Sequence, residues 1–251
     1  MTHRPFFLPI LPLMRILFAA LGLALCVVSQ GGMAAEKTEL VDIEGVAKIK
    51  VLGPLSLRVI QGKASQLSIT GSEADVASVL AQQDGDQLEI STRKSLTSWW
   101  STAPDVQINA ELPNVEMLEV VGSGDIVVGE LSGQEISLQV QGSGDIQVQQ
   151  LSSKELICSV LGAGDIAIKE LVAATASVLI KGSGDVWLDG DVIDFDFNVV
   201  GSGDVNAERL SVGRVKGFLA GSGDVVILSA KEQNISTFGS GSFHLLKENR
   251  E

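Results

Sequence analysis

From residue 122 onward, apolar and polar positions alternate with the period of a strand inside a longer repeat of about twenty residues. Counted from Gly122, apolar side chains stand four and six residues on, at Ile126 and Val128, and fourteen, sixteen and eighteen on, at Ile136, Leu138 and Val140. The same places hold Ile146/Val148 with Leu156/Cys158/Val160, and Ile166/Ile168 with Ala176/Val178/Ile180. Val186/Leu188 follow with Phe195/Phe197/Val199, then Val205/Ala207 and Val225/Ile227. A leucine usually stands nine on, as Leu131, Leu151, Leu171 and Leu210. Period-two alternation in β-branched residues, bounded by glycine, is strand patterning and not helix patterning. The pattern predicts two short strands per repeat, with one side chain in two pointing inward.

Each repeat opens on the same turn. Gly-Ser-Gly-Asp-Ile at 122–126 returns at 142, at 162 as Gly-Ala-Gly-Asp-Ile, and at 182, 201 and 221, then ends as Gly-Ser-Gly-Ser-Phe at 239–243. The first glycines are 20, 20, 20, 19, 20 and 18 residues apart. Units of this length cannot each bury an apolar face alone, so they stack. Equal coils with constant inward columns predict an all-β, right-handed parallel β-solenoid. An antiparallel barrel or sandwich of hairpins is the competing architecture, but hairpins do not require a fixed twenty-residue register.

The stretch before the repeats is less regular. Short alternating runs stand at 46–51, 55–59, 67–69, 88–90 and 106–110. Ser72 with Asp75 three residues later, followed by an Ala/Val/Leu stretch that stops near Gly85, predicts one short amphipathic helix over 73–83. Residues 92–105, with Trp99 and Trp100 adjacent, read as a loop. The domains expected are a leader at 1–35, a β-rich part at 36–121, the repeat solenoid at 122–246 and a polar tail at 247–251.

Residues 1–35 have the form of an export signal: Arg15, an apolar run from Ile16 to Val28, and small residues ending at Ala34-Ala35. Met14 is an alternative start, and Cys26 a weaker lipid-anchor reading. The apolar run is shorter than the roughly 20 residues of a membrane-spanning helix, so no span is expected once the leader is removed. The whole chain carries 18 basic and 31 acidic residues, and the leader takes Arg4 and Arg15 with it. That acidic surface disfavours nucleic acid and anionic membrane as partners. Past the leader only Cys158 remains, in an inward column, so no internal disulfide forms and a small buried hydrophobe is expected.

The Gly-Ser-Gly-Asp coils, the preceding Leu-Ser-Leu-Arg-Val-Ile-Gln-Gly and Leu-Ser-Ile-Thr-Gly segments (55–62 and 67–71), and the leader together resemble one family. It is the bacterial auto-transporter adhesin "head GIN domain" group, with the resemblance covering roughly residues 40–246. It implies a β-helix-like fold in an exported protein, in the periplasm or at the cell surface of a bacterium. It brings no catalytic residues, and nothing here resembles the large membrane barrel of an auto-transporter.

Four features of the sequence bear on chemistry or binding. The column Asp125, Asp145, Asp165, Asp185, Asp204 and Asp224 would stack carboxylates about 4.8 Å apart. Either each accepts backbone N–H groups of its own or the adjacent turn, or Ca²⁺ bridges adjacent coils in a calcium-stabilised module. A phosphate-loop reading fails, since no Gly-x-x-x-x-Gly-Lys-Ser/Thr occurs and no helix follows the turns. A β-helical carbohydrate-active enzyme needs converging acids and a base; only His3 and His244 exist, and Lys169, Lys181, Arg214 and Lys216 are scattered. No catalysis and no cofactor are expected. Finally, outward positions turn apolar along the chain: Gln139 and Gln141 give way to Leu161, Leu179, Val200, Phe218, Ala220 and Phe238. Either the helix at 73–83 or an N-terminal strand covers this face, or it meets a protein or glycan partner or a second copy. Trp99 and Trp100 are the second candidate contact.

Overall fold

The computed structural model describes residues 36–93 and 103–247. The leader, Trp99, Trp100 and most of the polar tail lie outside the described residues. Short strands come first: β1 (Lys37–Asp42), β2 (Lys48–Gly53), β3 (Leu57–Gln61), β4 (Gln66–Gly71), β5 (Val79–Asp84), β6 (Gln87–Thr92), β7 (Val106–Leu112) and β8 (Met117–Gly122). One strand per coil follows: β9 (Ile126–Gly142), β10 (Ile146–Gly162), β11 (Ile166–Gly182), β12 (Val186–Gly201), β13 (Val205–Gly221) and β14 (Val225–Gly239), with a short β15 (Phe243–Leu245).

The helix expected over 73–83 is only α1, Glu73–Val76. Its start is as predicted: the Ser72 hydroxyl accepts the Asp75 N–H at 3.2 Å and donates to the Asp75 carboxylate at 2.7 Å. The chain then leaves for β5, which pairs antiparallel with β6 from Val79↔Thr92 to Asp84↔Gln87. A helix this short gains few hydrogen bonds for its nucleation cost, whereas the hairpin gives all six residues of β5 a ladder partner. Gly85, with φ +61°, is therefore the hairpin turn and not a helix stop.

From β9 on, the coils stack as a parallel solenoid of about six turns. The register runs Ile126↔Ile146↔Ile166↔Val186↔Val205↔Val225↔Phe243. Two strands per coil were expected; each coil is instead one unbroken strand that bends. The inward residues of β9 show why: Ile126, Val128, Leu131, Ile136, Leu138 and Val140 are all buried, but the spacing steps from two to three to five and back to two. Consecutive outward residues, Gly129-Glu130 and Gln134-Glu135, mark the bends. The ladder skips one pair at each bend, Gly129/Gln149 and Gln134/Lys154, and resumes in the same register beyond it, so the corner is turned at the cost of local pairing only.

On the N-terminal side the coil is completed piecemeal. β3 pairs with β9 on one side, and β8 then β2 continue the other. Antiparallel strands finish this end: β4 lies between β7 and β1, and β5 lies outside β6. One apolar core runs through the stack from Ile43 to Ala230. At the far end the Phe243 ring stacks on Phe197, with centroids 6.0 Å apart, and closes the core over Gly217.

Candidate functional site

The repeated turn forms one edge of the solenoid, and its two glycines do different work. The first has a backbone no L-residue favours, with φ +130° at Gly142. The second is a close approach: a Cβ on Gly144 would lie 1.9 Å from the Gly124 carbonyl oxygen of the coil before it. Coils stacked this closely bring each aspartate under the next. The Asp145 N–H donates to the Asp125 carboxylate at 3.0 Å, Asp165 to Asp145 at 3.0 Å, and Asp185 to Asp165 at 2.7 Å. Asp204 donates to Asp185 at 2.8 Å and Asp224 to Asp204 at 2.7 Å. Each carboxylate thus accepts the N–H of the next coil's turn and sews coil to coil.

The middle and the C-terminal end of this ladder differ electrostatically. In its middle, burial and then the charges of Asp145 and Asp185 push the Asp165 carboxyl above the usual carboxylate range, against the Asp185 N–H bond that lowers it. At its end, the hydroxyl and N–H of Ser242 hold Asp224 below that range. Among the described residues, no three Asp, Glu, His or Cys side chains are grouped so as to hold a metal ion.

Ser242 stands where a seventh aspartate would be, and caps the ladder with its N–H at 2.8 Å and its hydroxyl at 2.7 Å from Asp224. The same oxygen lies 2.8 Å from Nε2 of His244. The proton count decides what this Asp-Ser-His chain can do. An ionised carboxylate only accepts, so the single Ser242 proton goes to Asp224 and Nε2 must donate to Ser242. His244 is therefore not placed as a base toward Ser242, as a nucleophile's partner must be. The sequence hinted at this cap only through the substitution of serine in the last turn.

The outward apolar residues come together on one broad side of the later coils. Val200, Ala220 and Phe238 share one column, and Asn198, Phe218 and Ser236 share the neighbouring one. Leu161, Leu179, Val200, Phe218 and Phe238 alternate between these two columns coil by coil, so the apolar stripe zigzags up the stack. Lys181, on the ladder between Leu161 and Val200, and Asn198, on the ladder between Leu179 and Phe218, interrupt its straight columns. The upper part is closed: the Phe218 and Phe238 rings pack with centroids 5.8 Å apart. Phe238 is nonetheless 68% exposed, Val200 42% and Phe218 38%, while Leu179 and Ala220 are half-buried. The expected cover is not there. α1 packs on β1 and β4 at the opposite end, held by the ladder that took residues 79–84 from the helix. No described element lies over Phe238.

Elsewhere, Val172 and Ile193 are also exposed and line a shallow cleft along the coils, while other surfaces are polar. A cleft of about 690 Å³ between Lys48, Asn114, Glu135 and Gln139 lies where the N-terminal strands meet the first coil. Close to it, the nearly buried Glu119 is held by Lys50 at 3.1 Å and by Gln141 at 2.8 Å, a pairing across three adjacent strands. Of the scattered basic residues, Arg214 grips Asp194 through two bonds of 2.6 and 2.8 Å.

Parallel ladders, a core threaded through equal coils and a glycine-aspartate seam define a β-solenoid of the adhesin-head class. The family described as "Putative auto-transporter adhesin, head GIN domain" matches residues 46–248, and the chain belongs to it. Among solved structures, a "putative adhesin" from Bacteroides fragilis superposes with TM-score 0.71 at 20% identity, covering 84% of this chain and 97% of that one. A "putative lipid binding protein" from Parabacteroides distasonis gives 0.73 at 22% identity, again covering 84% and 97%. A "putative adhesin" from Parabacteroides merdae gives 0.67 at 15%, covering 84% and 96%. These identities speak for the fold alone. Comparison with curated proteins finds no match.

Proposed function

We propose that the protein is an exported, non-catalytic binding or scaffold module of the bacterial envelope, in the periplasm or at the cell surface. Its partner is a protein or glycan, met through the apolar stripe that ends at Phe218 and Phe238. The observation that carries this reading is the exposed aromatic pair, 5.8 Å apart, on a side that no described element covers. A contiguous apolar patch that ends in a packed aromatic pair, on an acidic chain, marks a contact site. Family membership supports the adhesive role, and the leader pattern at 1–35 supports export. In this reading the aspartate column is structural, since one oxygen of each carboxylate is spent on an amide of the next coil. The arrangement of Ser242 and His244 supports the absence of catalysis.

The test is expression of the full chain in a bacterial host, followed by fractionation and comparison with Phe218→Asp/Phe238→Asp. The processed wild type is expected with the envelope in a salt-resistant association, and the variant in the soluble fraction with unchanged thermal unfolding. A variant that stays with the envelope as firmly as wild type refutes the stripe as the contact.

A further inference from the structure

The two ends of the solenoid are finished differently. At the N-terminal end the outermost strands are antiparallel, β1 carries Lys37, Glu39 and Asp42, and α1 packs beside it. Short, charged and covered edges are how sheets avoid pairing with other chains. At the C-terminal end, β15 pairs only with Val225–Ile227, and the last bond to β14 among the described residues runs from the Lys247 N–H to the Leu228 carbonyl. Beyond that, from Ser229 to Gly239, no described strand lies on the outer edge of β14.

The direction of the free groups follows from the ladder. Alternate residues of a parallel strand turn both backbone groups to the same neighbour. Ser137 N–H bonds back to Glu116, and Asn234 occupies the equivalent place in the last coil. Asn234, Ser236 and Phe238 therefore bond back to β13. Gln233, Ile235 and Thr237 turn their N–H and C=O groups to the open edge. These three also hold the inward columns, where Gln233 and Thr237 are exposed and Ile235 packs half-buried against the core, so the open edge borders the end of the core. The edge is also electrically neutral. From Ser229 to Leu246 the only charged side chains are Lys231 and Glu232, in a chain of net charge −13.

We propose that this edge is closed by a second copy of the chain, tail to tail, through antiparallel pairing of the two β14 edges across a two-fold axis. Two such ends are alike, both open and both of zero net charge, so an isologous contact satisfies each with the other. A head-to-tail contact would instead set this edge against the charged, antiparallel N-terminal strands. Across the two-fold seam the broad sides of both copies run on as one sheet, with both Phe238 rings on the same outer face. This inference rests on the backbone of 229–239 and not on the contact proposed for the stripe.

The experiment is sedimentation and light scattering of residues 36–251, which hold the whole described fold, with hydrogen exchange read at Ile235 and Thr237. Wild type is expected as a concentration-dependent dimer whose Ile235 and Thr237 amides lose protection on dilution. Thr237→Pro removes one edge-facing N–H and no bond to β13; Gln233→Lys/Thr237→Lys keeps the backbone and places like charges in the seam. Both are expected to be monomers with native circular dichroism. A wild type that is monomeric at every concentration overturns the proposal, and so does a dimer that survives both variants or leaves the two amides unprotected.

Discussion

The ring of Phe197 fills the space that a side chain at Gly217 would need. A Cβ on Gly217 would lie 1.9 Å from its Cζ atom. The two are ladder partners in adjacent coils, in the column Leu138, Cys158, Val178, Phe197, Gly217 and Ile235. The largest residue of that column is thus accommodated by the smallest beside it. A core packed at crystal density has no other slack to offer.

Gly217→Ala is accordingly expected to cost about 1–3 kcal/mol by overpacking. Phe197→Val alone leaves a cavity. The double variant Phe197→Val/Gly217→Ala is expected to recover part of both losses. Denaturant unfolding of the four proteins measures the coupling, and strict additivity would show that the ring and the glycine do not compensate.

The aspartate seam separates acceptor from charge. Asp165→Ala leaves the Asp185 N–H without its acceptor and is expected to cost about 1–3 kcal/mol. Asp165→Asn keeps a carbonyl oxygen for that N–H and removes a charge set among Asp145 and Asp185. It is expected to be as stable as wild type or more so at neutral pH. An Asn variant as damaged as the Ala variant would show that the charge itself holds the coils.

Acid titration tests the same seam with signs that differ along it. Asp165 binds its proton more tightly folded than unfolded, so its charge costs stability above its raised folded pKa. That cost fades as pH falls through the raised value to the ordinary one near about 3.9. The advantage of Asp165→Asn is therefore expected at pH 7 and gone at pH 3. Asp224, lowered by Ser242, and Asp194, lowered by its bond to Arg214, act in the opposite sense. Their contribution is present above the ordinary carboxylate value and lost as pH falls through their lower folded values. Thermal midpoints of wild type, Asp165→Asn and Asp224→Asn between pH 3 and 7 check both signs.

Calcium gives an independent reading of the column. With one oxygen of each carboxylate held by an amide, the unfolding midpoint is expected to be the same in excess Ca²⁺ and in EDTA at matched ionic strength. A calcium-specific rise would report a cation bound by the folded state alone, and would make the seam a metal ladder.

Cys158 is fully buried, and burial pushes its thiol up to about 12. Thiol reagents attack the thiolate. Labelling of residues 36–251 is expected only as the protein unfolds, so its rate should follow denaturant as global unfolding does. Rapid native labelling would place Cys158 outside the core.

Which residues stack on which is readable from the repeat alone. A repeat that returns in register fixes the columns, and alternation fixes which columns point inward, so Ile126 to Val140 and their later equivalents were legible without coordinates. The cap at Ser72 was legible too, being a local hydrogen bond. The length of α1 was not, because residues 79–84 have a distant partner in β6 whose ladder outweighs their local preference. Periodicity placed six aspartates in one column, but only the stacked coils decided that each accepts the next coil's N–H. Likewise only the packing of adjacent coils decided that the Phe197 ring occupies the space beside Gly217. The bare edge of β14 and the uncovered Phe218–Phe238 pair belong to the same group. A repeat specifies what its neighbours do, while its ends and its outer face are settled by what else in the chain reaches them.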